Sequence, residues 1–166
     1  MANVNTTPDT RLYRTAACLI IGDEVLNGKT VDKNSPYFAQ YCFKLGIALG
    51  RIETIPDDKP TIAEAVVRMS KAYDFVVTSG GIGPTHDDIT YSSIAEGFGL
   101  PLKRHEPTVE RMMHISKTRP KKAYEEEQDW EKPSKQLTAR LRMATFPDGD
   151  GVSVEFVDES LWVPIV

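Results

Sequence analysis

A chain of 166 residues, 40% hydrophobic and 27% charged, is long and apolar enough to bury one core without disulfides or a structural metal, and too apolar to be disordered. Its formal net charge of −4 offers no basic field to nucleic acid, and no apolar stretch approaches the roughly 20 residues that span a bilayer. Cys18 and Cys42 lack CxxC spacing and read as two buried thiols in a reducing compartment.

Residues 1–15 lack the apolar segment of a secretory signal and read as a flexible tail ahead of a single domain, 16–166. The expected location is the cytoplasm, with the nucleus also open. The run "AACLIIG" (16–22) suits a strand buried on both faces. A polar loop, "DEVLNGKTVDKNS", follows it. Helical spacing then links Tyr37, Phe38, Tyr41, Cys42 and Leu45, with Asn34 or Ser35 as N-cap, Pro36 at the first helical position and Gly46 as the stop. Residues 47–55 alternate as a second strand, and "PDDKP" is a turn. Thr61 is expected to cap the next helix, with Glu64 completing a capping box and Ile62, Ala65, Val66 and Met69 forming its apolar face. "DFVVT" is a third buried strand, and residues 89–98 are the next helix.

This β-α-β-α-β-α order predicts an α/β sandwich on a parallel sheet with right-handed crossovers. Beyond Phe98 the pattern weakens. "EPTVERMMHISKT" reads as a helix, and "RPKKAYEEEQDWEKPSKQ" as a solvated loop or exposed helix. Residues 140–166 read as short strands around the turn "PDGDG", the last of them, 161–166, entering the core. An α/β domain normally adds a helix after such a strand, so the domain is expected to lack its final helix.

Ligands of such sheets lie beyond the carboxyl ends of the strands. Two loops leave those ends with unusual composition. In "SGGIGPTHDD", Gly80, Gly81 and Gly83 permit positive φ and close approach to a ligand, and the helix behind them favours an anion. The same glycines also suit a tight turn that binds nothing. The loop has no lysine but carries Asp87 and Asp88. One aspartate can cap the following helix, which leaves the other a different task. Carboxylates repel a diphosphate unless a divalent cation lies between them, and Mg²⁺ commonly binds through one or two carboxylates plus substrate phosphates.

The loop after the first strand holds Asp23, Glu24, Asp32, Asn34, Lys29 and Lys33. Glu24 and Asp32 could complete a metal site or position a water, and Lys29 could reach a phosphate. Each could equally be a solvated loop residue, and for Lys33 that reading is preferred. Asp57 and Asp58 read as a turn and cap, although their loop lies at the same end of the sheet. His86 could contact a ligand, act as acid or base, or simply face water. His105 and His114 read as surface positions, and the histidines form no metal set. No Ser-His-Asp set is visible, and Ser79 has no base near it in sequence.

The segments "GDEVLNGKTVDKNSPYFAQYCFKLG" and "VVTSGGIGPTHDDITYSSIAEGFG" resemble the molybdopterin-binding domain of the MoaB/Mog superfamily, in particular its CinA-like branch, which includes the domain fused to eukaryotic FAD synthase. The matching positions are Gly22, Glu24, Leu26 and Gly28, then Asp32 and Asn34, then the run from Gly80 to Thr90. The resemblance implies a three-layer α/β/α fold, mostly parallel in its sheet, in a homo-oligomer, dimer or trimer. It also implies metal-dependent hydrolysis of a dinucleotide diphosphate, with FAD to FMN and AMP first and ADP-ribose second. The alternatives are a molybdopterin adenylyltransferase or a non-catalytic nucleotide- or pterin-binding module. Ile82 stands where pterin adenylyltransferases usually carry threonine, which disfavours transfer to a pterin.

On this reading Asp88, Asp87 and Glu24 are catalytic. Ser79, Gly80, Gly81, Gly83, Thr85, Lys29 and Asn34 bind the substrate phosphates. Asp88, Asp87 and Asp32 hold a divalent metal (Mg, Mn or Co), and no organic cofactor is permanently bound.

Overall fold

A computed structural model describes residues 12–118, 130 and 132–166. The apolar run near the start forms β1 (Thr15–Ile21), in which Ala16 to Ile21 are all buried. It is the middle strand of a three-stranded parallel sheet, with β2 (Ala48–Ile55) on one side and β3 (Phe75–Ser79) on the other. Only a strand covered on both faces needs such a continuous apolar sequence. Ala17, Leu19 and Ile21 face a cluster with Ile62, Ala65, Val66 and Met69. Those four residues form the predicted apolar face of α3 (Lys59–Ala72). Cys18, on the opposite face, lies within electrostatic reach of Cys42 in α2 (Asn34–Leu45). The sheet therefore lies between helices, as a three-layer α/β/α arrangement requires.

Several boundaries differ from those expected. The loop after β1 opens with a single helical turn, α1 (Asp23–Leu26). Helix α2 begins at Asn34, and neither Asn34 nor Ser35 caps it through its side chain. Asp32 does so from outside: its carboxylate accepts from the N–H of Asn34 (2.9 Å), the N–H of Ser35 (3.1 Å) and the Ser35 hydroxyl. Gly46 ends α2 with φ of 71°, in the left-handed region that glycine adopts without cost. Thr61 does not cap α3. It lies inside the helix, and Asp58 caps it by accepting from the Thr61 N–H at 3.1 Å.

The helix after β3, α4 (Thr90–Phe98), packs beside α3. Gly97 makes this approach close, since a Cβ there would lie 2.8 Å from the Ala63 carbonyl oxygen. The chain continues through β4 (Leu102–Arg104), α5 (Glu106–Thr118), α6 (Lys135–Arg142) and β5 (Thr145–Pro147), and β4 pairs antiparallel with β5. The start of the stretch expected to be short strands, residues 140–142, instead ends α6. Ser134 caps that helix by accepting from the Leu137 N–H. Residues 161–166 do not form a strand in the core. They make one bridge, Glu155 to Ile165, and Ile165 stays 62% exposed.

Most of the charged stretch 119–136 and most of the N-terminal tail lie outside the described residues. At the end of the stretch read as a tail, the N–H groups of Arg14 and Thr15 donate to the Asp74 carboxylate at 3.0 and 2.9 Å. Among the described residues, no helix is long and apolar enough to cross a membrane.

Candidate functional site

The register places the carboxyl ends of the three strands side by side: Ile20 pairs with Thr54 of β2 and with Ser79 of β3. The strand order β2-β1-β3 sends the connections from β1 and β2 to opposite sides. The crevice between β1 and β3 is thus a topological switch point, where open α/β sheets bind ligands. Both loops singled out in the sequence flank that crevice. Asn34 bridges them directly, its Nδ2 donating to Ser79 Oγ at 2.8 Å.

The glycine loop lies tightly on the end of β1. Gly80 has φ of 107°, and a Cβ there would sit 1.9 Å from the Ile21 carbonyl oxygen. Gly81 has φ of 62°, and its Cβ would meet Thr90 Oγ1 at 2.4 Å and Asp57 Oδ1 at 3.2 Å. Both positions therefore exclude any side chain. Thr90, buried in the first turn of α4, fixes the loop from below. Its hydroxyl donates to the Gly80 carbonyl at 2.8 Å, and its N–H to the Gly81 carbonyl at 3.1 Å. The backbone after β3 is thus clamped between β1 and the start of α4, where free helical N–H groups favour an anion.

Neither aspartate of the "HDD" sequence caps α4, whose N-cap is Ile89 without a side-chain bond. Asp88 closes the preceding turn. Its carboxylate accepts from the Thr85 N–H at 2.7 Å and the Thr85 hydroxyl at 2.6 Å. A Cβ at Gly83 would lie 2.8 Å from Asp88 Oδ2, so this third glycine makes room for the carboxylate. Asp87 projects to solvent and pairs with His86 at 3.1 Å, and the His86 side chain is 89% exposed. Lys29 is exposed in the loop after β1, and Asp32 is committed to the start of α2.

The acidic residue that sequence reasoning undervalued is Asp57. Its Oδ2 accepts from the Asp23 backbone N–H at 3.0 Å. Burial pushes its carboxyl above the ordinary carboxylate value. The Asp23 N–H pulls it back, and the charges of Glu24, Asp23 and Asp88 add to the rise. Asp57 therefore senses acidic residues from both other loops. In the sequence the doublet Asp57 and Asp58 reads as a turn and cap; Asp58 is the cap of α3, and Asp57 ties the loop after β2 to Asp23.

This field suits a cation. Among the described residues no three histidine, cysteine, aspartate or glutamate side chains form a ready-made metal cluster. The arrangement fits a divalent ion that takes one or two carboxylates here and completes its shell with ligand phosphates and water. Asp57 and Asp88 are the candidates for that, since their charges interact; Asp32 has both oxygens engaged at α2.

Residues 17–147 match the family described as "Probable molybdopterin binding domain". A probable FAD synthase of Caenorhabditis elegans is 48% identical over 92 residues, 55% of this chain and 18% of that protein. A CinA-like protein of Anaeromyxobacter dehalogenans is 41% identical over 92 residues, 55% of this chain and 22% of that protein. The chain thus spans about a fifth of the length of these curated relatives. The crystal structure of the protein CinA from Thermoplasma acidophilum shares the fold, with a TM-score of 0.70 at 24% identity over 92% of this chain and 79% of that one. With the family match extending from β1 to the end of β5, this chain belongs to the molybdopterin-binding domain family.

Proposed function

We propose that this chain is a divalent-metal-dependent dinucleotide diphosphatase, with FAD hydrolysed to FMN and AMP as its first reaction and ADP-ribose as its second substrate. One observation carries the reading. A glycine backbone that excludes side chains, without a lysine of its own, lies in the same crevice as the carboxylates sensed by Asp57. A loop built only for a tight turn would gain nothing from acidic neighbours that repel one another. The 48% identity to part of a probable FAD synthase supports the flavin dinucleotide as first choice.

The Gly80–Gly81 backbone and the start of α4 would cradle the diphosphate. Asp57 and Asp88 would hold the divalent ion, which when bound polarises a phosphoryl oxygen and lowers the pKa of a bound water. Asn34 and Ser79 keep the two loops in register for the substrate. In the reaction, water adds to one phosphorus, the bridging P–O bond breaks, and the two monophosphates leave as dianions with two protons released. The same proposal includes no permanently bound organic cofactor and a dimer or trimer, which light scattering checks.

The test incubates the protein with FAD and Mg²⁺, Mn²⁺ or Co²⁺ and separates the products. FMN and AMP in equal amounts are expected, and their absence with all three metals overturns the reading. The family description supports molybdopterin binding, and the second reading adds adenylyl transfer to that pterin. It predicts adenylylated pterin and pyrophosphate from the pterin and ATP.

A further inference from the structure

The loop from Ser79 to Asp88 contains neither lysine nor arginine, yet a cation reaches it from another part of the chain. Arg142, in the last turn of α6, donates from Nη2 to the Pro84 carbonyl oxygen at 2.9 Å. Its placement is set by packing. Phe146 of β5 is fully buried and meets Tyr91, in the first turn of α4, edge-on with ring centroids 4.8 Å apart. Only Met143 and Ala144 separate α6 from β5. The contact therefore holds the end of α6 beside the loop that enters α4. Arg140, the other arginine of that turn, is drawn away over the Trp130 ring at 5.8 Å.

A guanidinium carries five N–H donors in a rigid planar fork matched to phosphate oxygens. Pro84 takes one of them. Arg142 is exposed and has no other hydrogen-bond or ion-pair partner among the described residues. The loop that Arg142 touches carries Asp87 and Asp88, so its own side chains bring negative charge and no lysine or arginine. A phosphate arriving there gains from a cation whose remaining donors are uncommitted.

We infer that Arg142 is the phosphate-binding cation of this loop, holding the Pro84 turn with one N–H and donating the rest of its fork to the bound diphosphate. This rests on the reading that the loop takes a diphosphate, but not on its hydrolysis. A side chain distant in sequence thus supplies the charge that a phosphate loop usually carries within itself.

The test measures pyrophosphate binding by calorimetry, with Mg²⁺ present, for the wild-type chain and for Arg142→Ala, Arg142→Gln and Arg142→Lys. Thermal melts check that each variant is folded. Charge-assisted hydrogen bonds of this kind set the expected loss at about tenfold or more in affinity for Arg142→Ala. Arg142→Lys recovers part of that loss. Arg142→Gln, which keeps an N–H donor for Pro84 but no charge, does not. Wild-type affinity in Arg142→Gln overturns the inference, as does equal weakening in all three variants or a wild-type chain that does not bind pyrophosphate. If pyrophosphate binding follows the charge at 142 while FAD stays intact, the diphosphatase proposal falls and this inference stands.

Discussion

The backbone N–H of Asp23 donates to the carboxylate of Asp57 across 3.0 Å, so the loop after β2 holds the first turn of the loop after β1. The carboxylate that makes this bond also experiences the charges of Glu24, Asp23 and Asp88. Its folded-state pKa is raised, mainly by burial, so ionisation at neutral pH works against folding.

Asp57→Asn keeps an oxygen for the Asp23 N–H and removes the charge. Stability and activity are expected to move in opposite directions. The variant melts at a higher temperature than the wild type at pH 7. That gain disappears below about pH 4, where Asp57 is protonated in folded and unfolded chains alike. FAD turnover falls by at least about 10–100-fold, the scale for a metal's outer-shell partners, since Asp57 is proposed as a direct ligand. Paired melts at pH 7 and pH 3.5 with a product assay check both halves. A variant that is stabilised and fully active removes Asp57 from the site.

Asp87 and Asp88 are adjacent in sequence but play different parts. Asp88 is tied to Thr85 beneath the glycine loop, whereas Asp87 and His86 pair in solvent. Asp88→Ala is expected to lower turnover by at least about a hundredfold, in the range for lost positioned catalytic groups. His86→Ala and Asp87→Ala are expected to stay within about threefold of wild type, since both side chains are mostly exposed and their contact is on the surface. Initial rates on FAD for the three variants separate the roles. Equal losses at Asp87 and Asp88 would restore the symmetric metal pair.

The glycines differ sharply in what they tolerate. Gly80→Ala drives a Cβ against the Ile21 carbonyl at 1.9 Å with φ of 107°. Gly28→Ala, at φ of 78°, meets nothing within 4 Å. Backbone strain alone costs about 1–2 kcal/mol, and overpacking adds about 1–3 kcal/mol. Urea melts are therefore expected to show about 2–5 kcal/mol lost at Gly80 and about 1 kcal/mol at Gly28. Similar losses at the two positions would mean that the loop can lift off β1.

The elements that carry strong periodicity or continuous apolar runs were legible in sequence: β1, the Ile62–Met69 face of α3, and α5. The misread features depend on contacts distant along the chain or on competition between neighbouring side chains. Thr61 looks like a cap because threonine often caps, but Asp58 stands closer to the helix start and takes the bond. Residues 161–166 look like a core strand because they are apolar, yet their one described bridge is to Glu155. At the site, the glycine loop was read from local composition. The contact of Arg142 with Pro84 was not legible, because the two lie 58 positions apart and nothing local connects them. Of the doublet Asp57 and Asp58, read from the sequence as a turn and cap, Asp58 does cap α3. For Asp87 and Asp88, neither caps.

Asp32 provides an acid-sensitive tie. Burial alone would raise its carboxyl, but the Ser35 hydroxyl and the N–H groups of Ser35 and Asn34 outweigh burial and hold it below its ordinary value. A lowered carboxylate pKa stabilises the fold above the unfolded-state value and loses that effect as pH falls through the folded-state value. Asp32→Ala is expected to cost about 1 kcal/mol at pH 7, the usual loss for a helix cap. The gap from wild type begins to narrow near pH 4 and shrinks further as pH falls through the lowered folded-state value. Urea melts at pH 7 and pH 3 check it, and a gap as large at pH 3 as at pH 7 excludes the carboxylate as its source.

The two thiols give a test of the core itself. Cys18 and Cys42 are buried on facing elements and remain free rather than bridged. Burial pushes the Cys18 thiol up to about 11, with the Asp32 carboxylate and Cys42 adding to the rise, and burial also raises Cys42. Because the thiolate is the species that attacks, neither thiol should be alkylated by iodoacetamide in the native chain at pH 8. Both should react once the chain is unfolded in urea. A raised thiol pKa adds stability that is complete below the ordinary value of 9.0 and is lost as pH climbs toward about 11, since the unfolded chain ionises first. Native stability is therefore expected to decline between pH 9 and 11, and Cys18→Ala should flatten that decline. Mass spectrometry counts the alkylated thiols, and rapid native labelling of Cys18 would mean that β1 is open to solvent rather than central in the sheet.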